Sequence, residues 1–318
     1  MAFDLEIFNR QTHAVMVETI AQQTDLFNEK SQGTIQLTPK PFAGDFDIEA
    51  SFKQIGGMVR RRDVKNGQNA IASKRLSQHT KAAVKVAAGT PELLWEQAQF
   101  RWVQQDPEQA AIIIGQELGE AQIADMLNTG IRCAVGAIGS NTAAVQDSTA
   151  AKIDFVGLTT AAQKFGDRSQ AIKAWVMHSG ALTNLYLDAL ANNERLFEFD
   201  NIAVYRDQFG RLFVVTDAPD LIYDATGVRY NTLGLTEGGI VVNGQDDFYA
   251  TVVAKTGQEN ITNAYQAEWT YAASIKGYSW KTTAGGANPT STALGTSTNW
   301  EIFAESVKNT AGVLLKTQ

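Results

Sequence analysis

The sequence predicts a mixed α+β fold, and two patterns in it support this. One long helical pattern runs from Pro107 to Ile138, and short alternating or fully apolar segments typical of strands recur along the second half of the chain. No repeat of fixed period is present. Of the 318 residues, 44% are hydrophobic and 19% are charged, so the chain can bury a substantial core.

Residues 1–32 predict a weak N-terminal helix. Apolar side chains recur at helical spacing, but the stripe that they form is thin among Gln, Asn and Thr residues. Such a helix is marginal alone and needs a partner surface. We interpret the segment as an N-terminal arm.

Residues 33–90 predict an extended β-hairpin loop. Alternating runs at Ile35–Leu37 and Ala83–Val86 frame a polar stretch with a strong turn signal at Asn66-Gly67. This stretch has few apolar side chains and therefore little core of its own. A loop of this length in a compact protein is normally either functional or disordered.

Residues 91–103 predict a short amphipathic helix. Thr90 is suited to the N-cap and Pro91 to the first helical position, and the apolar side chains that follow, among them Trp95 and Trp102, fall on one face.

The long helix is predicted over residues 107–138, with Asp106 as its N-cap and Gly139 at its end. Its length is about 48 Å if it is wholly helical. Glycines at 115, 119, 130 and 136 each disfavour a helix by about 1 kcal/mol relative to alanine. These glycines are tolerable where another segment packs closely against them.

From residue 152 the chain alternates short helices and strands. Helices are predicted at Leu158–Phe165, ended by Gly166-Asp167, and after Ser179 as an N-cap. Gly285–Asn299 predicts a loop. The predicted strands are Ile172–Met177, Ile202–Tyr205, Leu212–Thr216, Gly239–Val242, Tyr249–Ala254, Trp269–Ile275 and Gly312–Lys316, and the second and third of these form a hairpin across Arg206–Arg211.

Charge is distributed unevenly along the chain. Residues 53–85 contain nine bases and one acid, a net charge of +8. The whole chain has a net charge of −7, so the other 285 residues carry −15. Residues 92–125 carry seven acids and one base. A basic segment that directly precedes an acidic one allows copies of the chain to pair with each other.

These two segments are the candidate contact surfaces between subunits. The basic residues of the loop are Arg60, Arg61, Arg62, Lys65, Lys74 and Arg75. The acidic acceptors are Glu92, Glu96, Glu108, Glu117 and Glu120. For the arginine triplet, a solvated loop face is as strong an interpretation as a subunit contact, and nucleic-acid binding is weaker than both, because aromatic residues do not interleave with the bases.

Composition argues against several classes of protein. The longest uninterrupted apolar run is the five residues Ala110–Ile114, far short of a membrane span, and the N-terminus has no pattern of a secretory signal. The single cysteine, Cys133, excludes an intramolecular disulfide framework and fits a reducing cytoplasm. The isoelectric point near 5.1 argues against a protein that wraps nucleic acid.

No pattern of catalytic residues stands out. The three histidines, at 13, 79 and 178, are too far apart to predict a metal site, and no phosphate-binding loop or dinucleotide fingerprint occurs. Ser179 beside His178 is better explained as a helix cap than as a nucleophile. Asp217, Asp220 and Asp224, or Asp246 with Asp247, could bind a divalent cation, but turn and cap roles are the stronger interpretation.

The order of elements resembles the major capsid proteins of tailed bacteriophages, whose fold is shared by encapsulin shells. The most specific pieces are the passage from Gly166-Asp167 to Met177-His178-Ser179, the segment Arg211–Pro219, and an ending in which Lys276–Trp280 and Asn288-Pro289-Thr290 precede Asn299-Trp300-Glu301. The resemblance extends over nearly the whole chain.

The resemblance implies a division of the chain into parts. These would be an N-terminal arm at 1–32, an extended loop at 33–90, a peripheral domain at 91–165 with a spine helix at 107–138, an axial domain at 166–265, and a return to the peripheral domain at 266–318.

The resemblance also implies function and partners. The expected function is a structural protein, not an enzyme, that assembles as hexamers and pentamers into the icosahedral head around viral double-stranded DNA. We expect it to be made in the host cytoplasm and to reside in the virion, without a cofactor, metal or membrane. Expected partners are further copies, a separate scaffolding protein, a portal at one vertex, a decoration protein in some heads, and DNA contacted weakly and non-specifically.

Two alternatives stay open. An encapsulin-like compartment would enclose enzyme cargo in place of DNA, and the sequence does not separate it securely from a phage head. A soluble enzyme is the remote alternative, and it requires a pocket that gathers Asp217, Asp220, Asp224 and His178.

Overall fold

A computed structural model describes the chain apart from residues 1–4, 40–45, 53–58, 63, 66–69, 72, 74–77, 97–106, 188–193, 200–201, 207–210, 224–228, 245–246 and 258. The α-helices of the described part are α1 (Leu5–Lys30), α2 (Pro107–Gly139), α3 (Phe155–Gln163), α4 (Ser179–Leu187), α5 (Thr282–Gly285) and α6 (Ser291–Gly295). With the sixteen strands below, they confirm the predicted α+β class.

The strands are β1 (Ile35–Pro39), β2 (Phe46–Phe52), β3 (Gln78–Gly89), β4 (Leu93–Glu96), β5 (Val145–Asp147), β6 (Ile172–Met177), β7 (Glu194–Phe199), β8 (Ile202–Arg206), β9 (Leu212–Thr216), β10 (Tyr230–Thr236), β11 (Ile240–Gly244), β12 (Tyr249–Lys255), β13 (Thr262–Ile275), β14 (Tyr278–Trp280), β15 (Trp300–Ile302) and β16 (Gly312–Thr317).

The strands form two seven-stranded sheets and one strand pair. Sheet A has the order β1-β11-β13-β3-β2, and β4 and β12 also pair with the long strand β13. Sheet B has the order β5-β16-β10-β6-β9-β8-β7. The third unit is the antiparallel pair β14-β15. In sheet A, β1 runs parallel to β11 and the other pairs are antiparallel.

Sheet A buries one face against the long helix. Every second residue of β13 from Asn263 to Ile275 is at most 6% exposed, with Tyr265 at 2% and Tyr271 at 1%. The Tyr271 hydroxyl donates to Asp125 of α2 (2.6 Å) and also lies 2.9 Å from the Thr129 hydroxyl. Burial and the nearby carboxylate raise the pKa of Tyr271 well above its usual range, so the phenol stays protonated and keeps donating. Helix α2 is thereby fixed along sheet A.

Helix α1 supplies the close packing that the glycines of α2 require. A Cβ atom at Gly115 would lie 2.7 Å from the Thr12 carbonyl oxygen, and one at Gly119 would lie 3.2 Å from the Thr19 side chain. The contacts advance in the same direction along both helices, so α1 runs parallel to α2. The marginal N-terminal helix therefore finds its partner surface within its own chain. At Gly130, a Cβ would lie 2.9 Å from Ile240 of sheet A.

Replacing Gly115 with Ala should destabilise the protein. Alanine favours a helix by about 1 kcal/mol over glycine, but its methyl group would overlap the backbone of α1, and overpacking costs about 1–3 kcal/mol. Chemical denaturation of unassembled subunits measures the net loss. Gly139→Ala is the matched control, because a Cβ there has no neighbour nearer than 3.9 Å. Equal stability of the two variants would contradict the close packing of α1 on α2.

The prediction of a short helix at residues 91–103 is wrong for residues 91–96, the part of this range that the structure describes. Leu93–Glu96 form strand β4 and pair with Thr262–Tyr265 of β13. Strand β3 ends at Gly89, opposite Glu268, and leaves the first residues of β13 without a partner on that side. Strand β4 pairs with these residues. The Thr90 hydroxyl accepts a hydrogen bond from the Ala267 N–H (2.9 Å) and does not cap a helix. Trp102, like the predicted N-cap Asp106 of α2, lies outside the described residues.

Two smaller predictions also need correction. His178, and not Ser179, occupies the cap of α4, because the Gly180 N–H donates to His178 Nδ1 (3.0 Å). The stretch Gly285–Asn299 is not all loop, since it contains helix α6 and a 3₁₀ turn at Ser297–Asn299. The Thr290 side chain caps α6 by accepting from the Ala293 N–H (3.3 Å).

The other predicted elements are confirmed with shifted ends. Helix α2 matches its prediction almost to the residue, and α3 begins earlier, at Phe155, with Asp154 as its N-cap. The predicted strands correspond to β6, β8, β9, β11, β12, β13 and β16. Strand β10, which the sequence analysis missed, is buried along its whole length.

Candidate assembly surfaces

The basic cluster of the loop lies on an exposed segment. Arg60, Arg61, Arg62 and Lys65 are all exposed, beyond the ladder formed by β2 and β3. Lys74 and Arg75, and the predicted turn at Asn66-Gly67, lie outside the described residues.

Valines accompany these bases. Val59 is 92% exposed and Val64 is 85% exposed, on either side of the arginine triplet. A segment that exposes apolar and basic side chains together has the composition of a binding segment more than of a solvated loop.

Two of the predicted acidic acceptors already contact their own chain. Glu92 forms an ion pair with Lys255 of β12, and Glu96 accepts a hydrogen bond from the Asn260 amide (3.4 Å). Both lie at the edge formed by β4. The positive charge that these carboxylates attract is therefore partly supplied within the subunit.

The other three acceptors are exposed in the first half of α2, where, at roughly 100° per residue, Glu117 and Glu120 lie on one side of the helix and Glu108 lies on another. Glu108, Glu117 and Glu120 are exposed, and among the described residues none of them forms an ion pair. Ile112 and Ile113 lie between them along the helix and are 44% and 42% exposed. We call these five residues the helix strip. Its combination of acids and exposed isoleucines matches the combination of bases and valines on the loop.

A half-buried ion pair joins α2 to the turn after sheet B strand β9. Arg132 Nε lies 2.7 Å from Asp220 Oδ2, and the two side chains are 20% and 23% exposed. The backbone carbonyl of Asp220 accepts from the Asn231 amide of β10 (3.0 Å). Asp220, a candidate cation ligand in the sequence, therefore has a structural partner.

Replacing Asp220 with Asn should cost about 1–3 kcal/mol of unfolding free energy, since it leaves the half-buried Arg132 without a charged partner. Asp217→Asn is the control, because the Asp217 side chain is 58% exposed and is expected to change stability little. Thermal unfolding of both variants makes the comparison. A larger loss for the Asp217 variant would contradict this role of the Arg132–Asp220 pair.

The remaining candidates for chemistry have local partners where the structure describes them. Asp217 Oδ1 lies 3.4 Å from His178 Nε2, and Asp247 accepts from the Thr270 N–H (2.9 Å). Asp224 and Asp246 lie outside the described residues, and within the described part no group of three His, Cys, Asp or Glu side chains could hold a metal ion. Burial raises the pKa of the Cys133 thiol well above its usual range, so the thiolate is not formed at neutral pH.

The C-terminal motif forms a packed corner. The Trp280 and Trp300 rings meet edge to face with centroids 5.0 Å apart, and their residues pair across β14 and β15. The Trp300 indole donates to the Leu294 carbonyl (2.8 Å), and α6 packs on Gly136 of α2, where a Cβ would lie 2.7 Å from that same carbonyl oxygen. The motif therefore attaches the C-terminal segment to the long helix.

One exposed surface was missed by sequence reasoning. Leu94 of β4 and Val253 of β12 are 56% and 53% exposed and lie on either side of Ala264 of β13. The pairing of β4 with β13 joins segments far apart in the sequence, so no local pattern indicates this surface.

A comparison with known protein families identifies the family of this chain. A sequence profile of the family described as major capsid protein 13-like matches residues 4–314. The chain belongs to this family. The predicted resemblance to phage major capsid proteins is thus confirmed, and the protein is a structural component of the phage virion. Among the described residues, no helix is long and apolar enough to cross a membrane.

Solved structures of low sequence identity are also similar to this chain. The cyanophage Pam1 capsid asymmetric unit is 10% identical, with 76% of this chain and 84% of the other covered and a TM-score of 0.49. A structure from Mycobacterium phage Bobi is 10% identical, with coverages of 91% and 90% and a TM-score of 0.47.

The capsid of Myoviridae phage XM1 is 13% identical, with coverages of 77% and 86% and a TM-score of 0.41. No curated protein matches the sequence. The family match, and not these structural likenesses, carries the identification.

Proposed function

We propose that this major capsid protein assembles as hexamers and pentamers into the icosahedral head that encloses viral double-stranded DNA. The observation that carries the proposal, beyond family membership, is that one chain exposes both a basic, valine-bearing loop and an acidic, isoleucine-bearing helix strip. A chain that carries two complementary surfaces can bind a second copy and still offer both kinds of surface to further copies.

The contact that we propose places Arg60, Arg61 and Arg62 of one subunit on the helix strip of the next. The contacts of Glu92 and Glu96 within their own chain favour Glu108, Glu117 and Glu120 as the main acceptors. Each exposed ion pair contributes only about 0.2–1 kcal/mol. A closed shell repeats the contact at every subunit, so small contributions are sufficient.

The division into parts remains the proposed one. It comprises an arm (1–32), an extended loop (33–90), a peripheral domain (91–165) with its spine helix, an axial domain (166–265) and a return to the peripheral domain (266–318). One boundary of this division changes: because β11 and β12 pair with β13 in sheet A, we move the end of the axial domain from residue 265 to near Thr236, at the end of β10.

The partners beyond the shell are proposals drawn from the capsid function. They are a separate scaffolding protein during assembly, a portal at one vertex, and a decoration protein in some heads. The acidic balance of the chain, −7 overall, supports weak and non-specific contact with the packaged DNA. We propose no enzymatic activity and no cofactor.

The contents of purified particles test the proposed function. Particles isolated from infected cells, or from cells that express the protein with its packaging genes, should contain double-stranded DNA that resists external nuclease until the shell is opened. Particles that enclose a protein cargo and no protected DNA would contradict the proposal and favour an encapsulin-like compartment.

A further inference from the structure

Strands β4, β13 and β12 form a three-stranded ribbon at one end of sheet A. On the middle strand, one face of the ribbon is buried, since Tyr265 is 2% exposed. On the opposite face, Leu94, Ala264 and Val253 occupy one row across the three strands, because each outer residue pairs directly with Ala264. The row is large, small, large: the two outer side chains are more than half exposed, and Ala264 between them is 7% exposed.

The next row on this face carries opposite charges at its two ends. Glu96 and Lys255 both pair with Thr262 and lie two residues along their strands from the apolar row, so all three point to the same face. Lys255 also contacts Glu92, but both side chains of that pair are more than 40% exposed. An exposed pair of this kind leaves Lys255 able to contact a second carboxylate.

A further row has a large side chain at one end and a glycine at the other. Tyr249 of β12, 68% exposed, pairs with Glu268, and on the other side of Glu268 lies Gly89 of β3. Between this row and the apolar row, Thr251 pairs with the exposed Gln266. We call these four rows the outer ribbon face.

The outer ribbon face is complementary to itself. A two-fold axis parallel to β13 brings each row onto the same row of a second copy, with its two ends exchanged. Leu94 then faces Val253 of the second copy, and Glu96 faces Lys255. Tyr249 then faces Gly89 of the second copy, which carries no side chain, and the small side chain of Ala264 lies on the axis.

We propose that the outer ribbon face binds the same face of a second copy, as a two-fold contact between subunits of the shell. The proposal rests on the proposed shell function. The opposite charges of Glu96 and Lys255 favour this occupant over a basic loop, which would meet Lys255 as a like charge.

The contact is too small to hold two subunits together alone. Seven residues at about 3.4 Å along three strands at about 4.8 Å give roughly 340 Å² per copy. The total of roughly 700 Å² lies below the 1,000 Å² or so that a stable isolated interface buries. The contact is therefore expected within shells, where other contacts hold the copies in place, and weakly or not at all between free subunits.

Cysteine cross-linking in assembled shells tests the contact. Ala264→Cys places a thiol on the two-fold axis, and the pair Leu94→Cys with Val253→Cys places thiols that face each other across it. The native Cys133 is fully buried and does not compete. Treatment with a short bifunctional maleimide, followed by denaturing gel electrophoresis and peptide mapping, measures the covalent dimer.

The control is Leu93→Cys, one residue away on β4 and 41% exposed, which pairs with Tyr265 and therefore points to the other face. We expect about tenfold more dimer from either test variant than from this control. Adding Glu268→Gln to Ala264→Cys should raise the dimer yield about twofold, because two Glu268 carboxylates face each other near the axis.

Intact shells whose engineered thiols react with a monofunctional maleimide but give no dimer above the control would overturn the contact and leave the shell function in place. Cross-links from position 264 to the basic loop would also overturn it. Absence of shells from the unaltered chain, with scaffold present, would overturn the proposed function and the contact together.

Discussion

Replacing Arg60, Arg61 and Arg62 together with Glu is expected to abolish most shell assembly while the subunit stays folded. The three side chains are exposed, so reversing their charge removes little packing within the subunit. Across the proposed contact, three attractive pairs become repulsive, a change of about 3 kcal/mol per contact, or roughly a hundredfold in association. Sedimentation of co-expressed shells and circular dichroism of the subunits measure the two effects separately.

Two further variants make this prediction specific. Lysines at the three positions preserve the charge and should preserve most of the shell yield. Lysines in place of Glu108, Glu117 and Glu120 should reduce assembly alone and restore part of it when combined with the reversed loop. A normal yield of shells from the reversed loop would show that the loop charges do not hold subunits together, and failure of the combined variant would place the acceptor elsewhere.

Replacing Trp300 with Ala is expected to destabilise the subunit by about 3–5 kcal/mol. The indole is 2% exposed, packs edge to face on Trp280, and donates to the Leu294 carbonyl. Its loss leaves a cavity at the corner that joins the C-terminal segment to α2. Urea denaturation of unassembled subunits gives the change in unfolding free energy.

Trp95→Ala is the matched control for this prediction. Trp95 lies in the ribbon strand β4 and is only partly buried, so its truncation should cost clearly less. Equal losses for the two variants would show that the corner formed by Trp280 and Trp300 is not a major source of stability. A variant that does not accumulate as soluble subunit, beside a normal Trp95 variant, agrees with the prediction.

The elements with strong local signals were predictable from the sequence. Helix α2 has a proline at its start, a sustained helical period and a glycine at its end, and the structure follows this prediction closely. Strand β16 is a short apolar run beginning at Gly312, and its position inside sheet B, between β5 and β10, explains that composition. Local propensity and tertiary environment agree at both places.

The misassigned elements depend on contacts between distant parts of the chain. The sequence of β4 is compatible with a helix, and it becomes a strand because the edge of β13 beside it is open. The glycines of α2 indicated close packing, but only the structure shows that α1 provides it. His178 caps α4 through a ring nitrogen, a role that cap preferences do not favour for histidine.

The candidate surfaces, too, were predictable from the sequence only in part. The concentration of bases on the loop and of acids after it is a property of the sequence alone. The sequence does not distinguish Glu92, whose charge is met by Lys255, from Glu117, which lies exposed beside Ile113. The outer ribbon face needed the structure throughout, because its rows combine residues from four strands.

Electron microscopy of the protein co-expressed with the scaffolding gene of its own phage is the most direct test of the central claim, that this chain builds a closed shell. We predict closed particles of uniform size whose reconstruction shows rings of six and of five subunits, with the basic loop of each subunit on the helix strip of its neighbour. A folded protein that remains a monomer or dimer under every condition, with the scaffolding protein present, would contradict the claim.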